Sequence, residues 1–128
     1  MNANYKVIFA GIAGVAIGVA GGTAIHAQQG KVAPAYIIAE LEITDSTVFQ
    51  KYASSVPATL APFGGHYLAR AGRTVALEGD PPKRIVVVAF DSMEKARDFW
   101  DSPAYDAIKP IRHSSAKSRG YLVEGVVP

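Results

Sequence analysis

The stretch RIVVVAF, residues 84–90, is apolar at both odd and even positions and rich in β-branched side chains. A run this short does not make a buried helix, whereas a strand that is apolar at both parities is covered on both faces. A helical pattern follows at once, with apolar side chains at Met93, Ala96, Phe99 and Trp100. This helix can cover one face of the strand, so the fold has to provide a second cover for the other face.

Composition and charge narrow the class of protein. The chain has 128 residues and no cysteine, which excludes disulfides, thiolate metal sites and a cysteine nucleophile. Residues 1–27 have the pattern of a targeting segment, and about 101 residues then remain, enough for one small domain. Without Lys6, the remaining twelve basic and eleven acidic residues give a net charge of +1. So weak a bias, with no basic run interleaved with aromatic residues, predicts no nucleic-acid partner.

Residues 1–27 are interpreted as a signal peptide. Lys6 provides a minimal positive n-region, residues 7–25 carry no charge, and Ala27 offers a small residue before a cleavage point at Gln28. The alternative is an uncleaved membrane anchor, because the uncharged stretch is almost long enough to span a bilayer and has glycines at a spacing that favours close packing of membrane helices. We therefore expect a periplasmic or secreted protein, or one that is anchored in the membrane and faces the periplasm.

The rest of the chain alternates between strand and helix patterns. Residues 28–34 form a polar linker, and the domain is predicted to span residues 35–128. Its predicted elements are a strand at 35–43, a helix that is capped within residues 44–46 and runs through to Pro62 with a kink or loosened last turn at Pro57, a strand at 66–70, extended residues at 74–78, the strand at 84–90, a helix at about 93–100, a short helix that starts at Ser102-Pro103 and stops at Pro110, a polar connection at 109–118 and a last strand at 120–127. Gly64 and Gly65 follow a helix and precede a strand, so they predict a helix C-cap and not a phosphate-binding loop.

This order of elements predicts an α+β protein with a ferredoxin-like βαββαβ fold. In that fold the first and third strands lie in the middle of a four-stranded antiparallel sheet, and the helices cover one face. Because residues 84–90 are apolar at both parities, the other face is apolar and open. A second copy of the same sheet is its simplest cover, so the chain is predicted to form a homodimer through the sheet faces.

Several short motifs also resemble one known family. They are Phe63-Gly64-Gly65-His66-Tyr67-Leu68-Ala69-Arg70, Leu77-Glu78-Gly79, the strand at 84–90, Ala96, Ser102-Pro103, Tyr105 and Arg112. Their combined spacing over Tyr36–Gly125 resembles the domain-of-unknown-function 1330 family. The resemblance implies a dimeric α+β barrel, and it brings no reaction with it because the family is named for lacking one. The chain departs from the usual pattern in its leader segment and in His66, which stands where a basic residue is more usual.

Six residues are candidates for binding a ligand, and they are His66, Arg70, Glu78, Arg84, Tyr105 and Arg112. A guanidinium is a rigid planar donor that suits a carboxylate or an enolate. We therefore expect Arg70 and Arg112, with His66 and Tyr105 nearby, to form a small pocket for such an anion. The structural alternative is that these two arginines pair with acidic residues, namely Asp45, Glu78 or Asp106.

A metal site is not predicted. His66 and His113 are the only histidines after the leader, and they lie 47 positions apart, whereas a metal needs three or four convergent ligands. No other pattern points to a cofactor.

Two function classes remain open. One is a small-ligand site, binding or catalytic, for an anionic or planar organic molecule in the cleft between sheet and helices; the aromatic residues Phe99, Trp100 and Tyr105 could line it. The other is a non-catalytic exported dimer that serves only assembly or contact with a partner. If the charged candidate residues point into one cavity, the first class is favoured. If they form ion pairs on the surface, the second class is favoured. No motif decides whether the protein is an enzyme.

Overall fold

The computed structural model describes residues 30–128. The predicted signal peptide or anchor, and the cleavage point after Ala27, lie outside these residues. Within residues 30–128, no helix combines the length and the apolar character that crossing a membrane requires.

The described chain forms a four-stranded antiparallel sheet with three α-helices. The elements are β1 (Ala35–Ile43), α1 (Ser46–Leu60), a 3₁₀ turn (Ala61–Phe63), β2 (His66–Arg70), β3 (Arg84–Phe90), α2 (Met93–Trp100), α3 (Pro103–Ser115) and β4 (Ala116–Glu124). The strand order is β2-β3-β1-β4, so the first and third strands are central. The predicted α+β, ferredoxin-like fold is confirmed.

The two central strands present one face to the helices and leave the other open. Ile37 of β1 pairs with Val88 of β3, and both side chains are buried in the main core together with Phe90. The neighbouring pair, Ile38 and Val87, points to the opposite side of the sheet. We call the side of Ile37 and Val88 the covered face and the side of Ile38 and Val87 the open face. The helices contribute to the core beneath the covered face through Val56, Leu60, Ala96, Phe99 and Tyr105.

Helix α3 does not stop at Pro110, as the sequence predicted, but continues to Ser115. Ser115 is fully buried, and its carbonyl accepts hydrogen bonds from the backbone N–H groups of Thr44 (2.8 Å) and Asp45 (3.1 Å). A proline removes one backbone donor, and the burial and hydrogen bonding of the last turn outweigh that loss. The predicted polar connection is therefore wrong, and β4 starts immediately at Ala116 instead of at residue 120.

Helix α1 likewise continues past Pro57, to Leu60. Because Pro57 has no N–H, the carbonyl of Ala53 lacks its usual partner in the helix. The guanidinium of Arg70 supplies a substitute, with Nη2 donating to the Ala53 carbonyl oxygen at 2.8 Å. The 3₁₀ turn that continues α1 then ends at Gly64, as predicted for the C-cap, because Gly64 takes the left-handed conformation (φ 69°) and donates to the carbonyl of Ala61.

The side chains of strand β2 do not alternate strictly between the two faces of the sheet. His66 pairs with Ala89 and so lies on the open face, whereas Arg70 pairs with Val86 and lies on the covered face. The register shifts between Tyr67 and Ala69, which makes a bulge there. Strict alternation would have put residues 66 and 70 on the same face, and the bulge separates them.

The segment 71–83, between β2 and β3, contains no helix or strand. Residues 74–78, which the sequence predicted to be extended beyond β2, do not join the sheet. Ala71 explains the break because its φ of 57° is left-handed, a conformation that turns the chain out of a strand. The segment begins directly after Arg70 and ends directly before Arg84, so two predicted site residues flank it.

Candidate functional site

A cleft lies between the covered face of the sheet and helix α1, and residues of α2 and α3 complete its wall. Its volume is about 60 Å³. Most of the lining is apolar, from residues such as Leu41, Phe49 and Val88. The polar lining residues are three arginines and three tyrosines: Arg70, Arg84, Arg112, Tyr52, Tyr67 and Tyr105. We refer to the first three as the cleft arginines. Among residues 30–128, no acidic residue, histidine or lysine lines the cleft.

Arg112 is the most deeply buried of the cleft arginines, with an exposed fraction of 7%. It lies on α3 two turns after Tyr105, so both side chains are on the buried face of the helix. Its Nη1 donates to the hydroxyl of Ser118 at 2.6 Å, and its buried Nε has no hydrogen-bond partner. The guanidinium carbon lies 5.8 Å from the ring centre of Tyr52 and 5.7 Å from that of Trp100. The guanidinium of Arg112 is thus held between two aromatic rings, and its Nε–H remains free to donate.

Arg84 and Arg70 enter the cleft from the sheet. Arg84 starts β3, its guanidinium lies 5.2 Å from the ring centre of Phe49, and its buried Nε also lacks a hydrogen-bond partner. The guanidinium of Arg70 lies 4.6 Å from the ring centre of Tyr67, besides its hydrogen bond to Ala53. Cation–π contacts of this kind hold a guanidinium in place without neutralising its charge.

None of the cleft arginines forms an ion pair within residues 30–128. The ion pairs found there are Lys95–Asp91, Lys109–Asp106 and Arg119–Glu40. Asp45 accepts a hydrogen bond from the N–H of Val48 as the N-cap of α1, and Glu78 is exposed in the segment 71–83. The structural alternative, in which these acidic residues neutralise Arg70 and Arg112, is therefore not what the structure shows. A cleft with several positive charges and no counter-charge is suited to an anion.

The tyrosines of the cleft are hydrogen-bond donors at neutral pH. The hydroxyl oxygens of Tyr52 and Tyr105 are 2.8 Å apart, so one of them donates to the other and the second keeps a free O–H. Burial, and then the neighbouring Tyr105, raise the pKa of Tyr52 above its ordinary value. Burial also raises the pKa of Tyr67, and Arg70 offsets part of this rise. Protonated hydroxyls can donate to an anion, but they cannot act as bases.

The raised tyrosine pKa values predict that the protein loses stability in alkaline solution. Above a pH of about 10 the unfolded chain releases the proton of Tyr52 while the folded chain keeps it, so the free energy of unfolding should fall as the pH rises. Urea unfolding between pH 7 and 11 measures this effect, and the slope should be smaller in Tyr52→Phe. Equal slopes in the two proteins would contradict the assignment.

The family of the chain follows from its sequence. The family described as Domain of unknown function (DUF1330) matches residues 34–126. The chain belongs to the DUF1330 family. This match confirms the resemblance seen in the motifs. No match was found among curated proteins.

Solved structures share the fold of this DUF1330 domain. RPA0582, a protein of unknown function from Rhodopseudomonas palustris, superimposes with a TM-score of 0.63 at 11% identity, over 85% of this chain and 94% of its own. SnoaB, a cofactor-independent oxygenase from Streptomyces nogalater, gives 0.54 at 12% identity, over 76% and 97%. A dimeric ferredoxin-like protein of unknown function from Thermobifida fusca gives 0.51 at 13% identity, over 76% and 95%. Identities this low establish a common fold and do not transfer a function.

Four of the six predicted site residues line the cleft of the DUF1330 domain, namely Arg70, Arg84, Tyr105 and Arg112. The structure does not bring His66 to them, because the bulge in β2 leaves His66 exposed on the open face. It does not bring Glu78 to them either, since the segment 71–83 carries that side chain into solvent. Within residues 30–128, no group of three acidic or histidine side chains is placed to hold a metal ion.

Tyr52 and Tyr67 line the cleft but were not among the predicted site residues. Tyr52 lies on the apolar stripe of α1, where its side chain reads as part of the core. The hydroxyl of Tyr52 could have indicated a polar contact within the core, because a buried tyrosine usually finds a hydrogen-bond partner. That partner, Tyr105, is 53 residues away, and only the fold of the DUF1330 domain brings the two together.

Proposed function

We propose that this DUF1330 domain binds a small organic anion, a carboxylate or an enolate, in the cleft between sheet and helices. The observation that carries the proposal is Arg112, a guanidinium that is 7% exposed, faces no carboxylate and has a buried Nε without a partner. Burial of an uncompensated charge costs several kcal/mol. A carboxylate oxygen that accepts from this group would offset the cost through a charge-assisted hydrogen bond.

The size of the cleft limits the ligand. Pockets for drug-sized molecules have volumes of roughly 300–1,000 Å³, whereas this cleft has about 60 Å³. It therefore accommodates a short organic acid, or the acidic end of a larger molecule. The aromatic rings of Phe49, Tyr52 and Trp100 in the wall favour a flat group beside the anion.

Binding, and not acid–base catalysis, is the function that the lining supports. Histidine, aspartate, glutamate and lysine are the usual groups that move protons in active sites, and none of them lines the cleft. Burial raises the pKa of Tyr52 and of Tyr67, which holds these two tyrosines in the protonated form. The likeness to a cofactor-independent oxygenase extends to the fold alone, so it supplies no reaction for this chain.

A panel of small carboxylates tests the proposal by thermal unfolding of the purified protein. Acetate, pyruvate and benzoate, each compared with its neutral amide at equal ionic strength, should raise Tm, whereas the amides should not. A ligand at 100 times its Kd stabilises by about 2.7 kcal/mol, which is a shift of roughly 10 °C or more for a domain of this size. Arg97→Met, which removes an exposed arginine outside the cleft, serves as the control and should keep the shift. If no carboxylate shifts Tm, the anion site does not exist and the assembly of the barrel remains as the alternative function.

We propose further that two copies pair through their open faces. Tyr121 and Val123 of β4 lie on this face and remain 45% and 44% exposed in the single chain, beside the apolar residues Ile38 and Val87. Two dimeric proteins of the same fold support a dimer of this chain. An ordinary interface buries about 1,200–2,000 Å² in total.

The open face also carries one polar cluster. Glu40 accepts hydrogen bonds from Arg119 (Nε at 2.9 Å and Nη2 at 3.0 Å) and from the hydroxyl of Tyr121 at 3.0 Å. The bond from Arg119, followed by that from Tyr121, holds the pKa of Glu40 below its ordinary value. The carboxylate thus enters a dimer with its partners already in place, which makes its burial there less costly.

Export completes the proposal. The uncharged residues 7–25 and the junction at Ala27 predict a periplasmic protein that begins at Gln28. Expression of the full chain in a bacterium, followed by the intact mass of the protein from the periplasm, measures this directly. A full-length mass in the membrane fraction would instead establish an anchor.

A further inference from the structure

We infer that the anion is a short dicarboxylate, which is a narrower statement that rests on the anion site proposed above. Two buried side-chain donors within residues 30–128 lack a hydrogen-bond partner. They are the Nε–H groups of Arg84 and Arg112, and they belong to different elements, β3 and α3. Two separate donors call for two acceptors.

The two guanidiniums line the same cleft beside a pair of neighbouring aromatic rings. Arg84 lies 5.2 Å from the ring centre of Phe49, and Arg112 lies 5.8 Å from that of Tyr52. The two ring centres are 5.5 Å apart. Because both guanidiniums line one cleft of about 60 Å³, a ligand inside it can present one acceptor to each of them only if it is short.

The charges of the cleft arginines also indicate a ligand with two carboxylates. Arg70 is exposed and already donates to the carbonyl of Ala53, so water and the backbone compensate its charge. Arg84 and Arg112 are the more buried pair, and no acidic side chain lines the cleft. One carboxylate would leave one of these two charges unmatched, whereas two carboxylates match both.

The length of the ligand follows from the volume of about 60 Å³. This space holds a chain of about three or four carbons between and including the carboxylates, because on the same measure of volume a single water takes only about 10–15 Å³. Malonate and succinate have this size. Adipate, with six carbons, should be too long to enter with both ends.

Isothermal titration at pH 7 and constant ionic strength tests the inference with pairs of equal carbon number. Malonate should bind at least about tenfold more tightly than propionate, and succinate at least about tenfold more tightly than butyrate, because each second carboxylate gains a charge-assisted contact. Arg84→Met should lower the affinity for malonate to that for propionate and change the affinity for propionate less than about threefold. Arg97→Met is the matched control and should bind like the unmodified protein.

The outcomes separate the two levels of the proposal. Propionate that binds as tightly as malonate would show that one carboxylate suffices, which overturns the dicarboxylate inference and keeps the anion site. Sulfate that binds as tightly as malonate would show that charge alone is recognised and would also overturn it. Adipate that binds as tightly as succinate would contradict the limit on length. If neither the monocarboxylates nor the dicarboxylates bind, the anion site itself is wrong.

Discussion

Val88→Asp should unfold the domain, whereas Val87→Asp, at the next residue of the same strand, should leave it folded and break the dimer. Val88 is 6% exposed and lies in the main core beneath the helices. An aspartate there places a carboxylate among apolar groups with no partner, at a cost of about 3–5 kcal/mol. That cost is comparable to the whole free energy of unfolding of a domain at the low end of the usual range of about 5–15 kcal/mol.

Val87 lies on the open face, where a single chain leaves space and solvent for a charge. The carboxylate of Val87→Asp would instead be buried when a second sheet packs on this face, so dissociation is the expected result. Urea unfolding followed by circular dichroism measures the stability, and light scattering at micromolar concentration measures the mass. Val87→Thr, which keeps the shape of the side chain without the charge, is the control and should remain dimeric. A dimeric Val87→Asp, or an unmodified protein that is monomeric, would rule out the open face as the interface.

Arg112→Met should have opposite effects on stability and on binding. In the protein without ligand, the variant exchanges a buried, uncompensated charge for an apolar side chain of similar length, so the free energy of unfolding should rise by about 1–3 kcal/mol. The hydrogen bond lost to Ser118 offsets little of this, because Ser118 is exposed and water replaces the donor. The affinity for a bound carboxylate should fall at least about 30-fold, since the ligand loses its most buried charged partner.

A structural role for Arg112 predicts the reverse pattern. In that case Arg112→Met lowers the free energy of unfolding and leaves no binding to lose. Urea unfolding without ligand and titration with the carboxylate that gives the largest Tm shift measure the two effects separately, and Arg97→Met again provides the comparison. Unchanged affinity in both Arg112→Met and Arg70→Ala, in protein that remains folded, would end the anion hypothesis.

The fold was predictable because a few residues restrict it strongly. Apolar side chains at both parities of β3 require a central strand with two covers, and the order of strand and helix patterns then leaves few topologies. The prediction failed at Pro110, where a local rule about proline competes with tertiary contacts. The end of α3 is held by hydrogen bonds from the backbone of the turn after β1 to the carbonyl of Ser115. These partners lie 70 residues apart in the sequence, which is too far for a local pattern to reveal.

The candidate site was predictable in part. Arginines at 70, 84 and 112 stood out because they belong to the motifs that resemble the family and because a guanidinium suits a planar anion, and all three line the cleft. His66 did not join them because alternation along β2 is interrupted, and no residue type at 67–69 signals a bulge. The Tyr52–Tyr105 contact could not be predicted either, since each tyrosine fits an ordinary apolar stripe of its own helix.

The bulge in β2 makes Leu68 a spacer that the sheet can lose. The side chain of Leu68 is 58% exposed and contributes little to the core, so its replacement by another residue is a mild change. Leu68 has no partner in β3, whereas its neighbours already pair with consecutive residues of that strand, Tyr67 with Val88 and Ala69 with Val87. Deletion of Leu68 should therefore leave every paired residue on its present face, with His66 on the open face and Arg70 in the cleft. At this position, natural variation is free in both sequence and length, and the pairing of the flanking residues with β3 is what keeps the two surfaces separate.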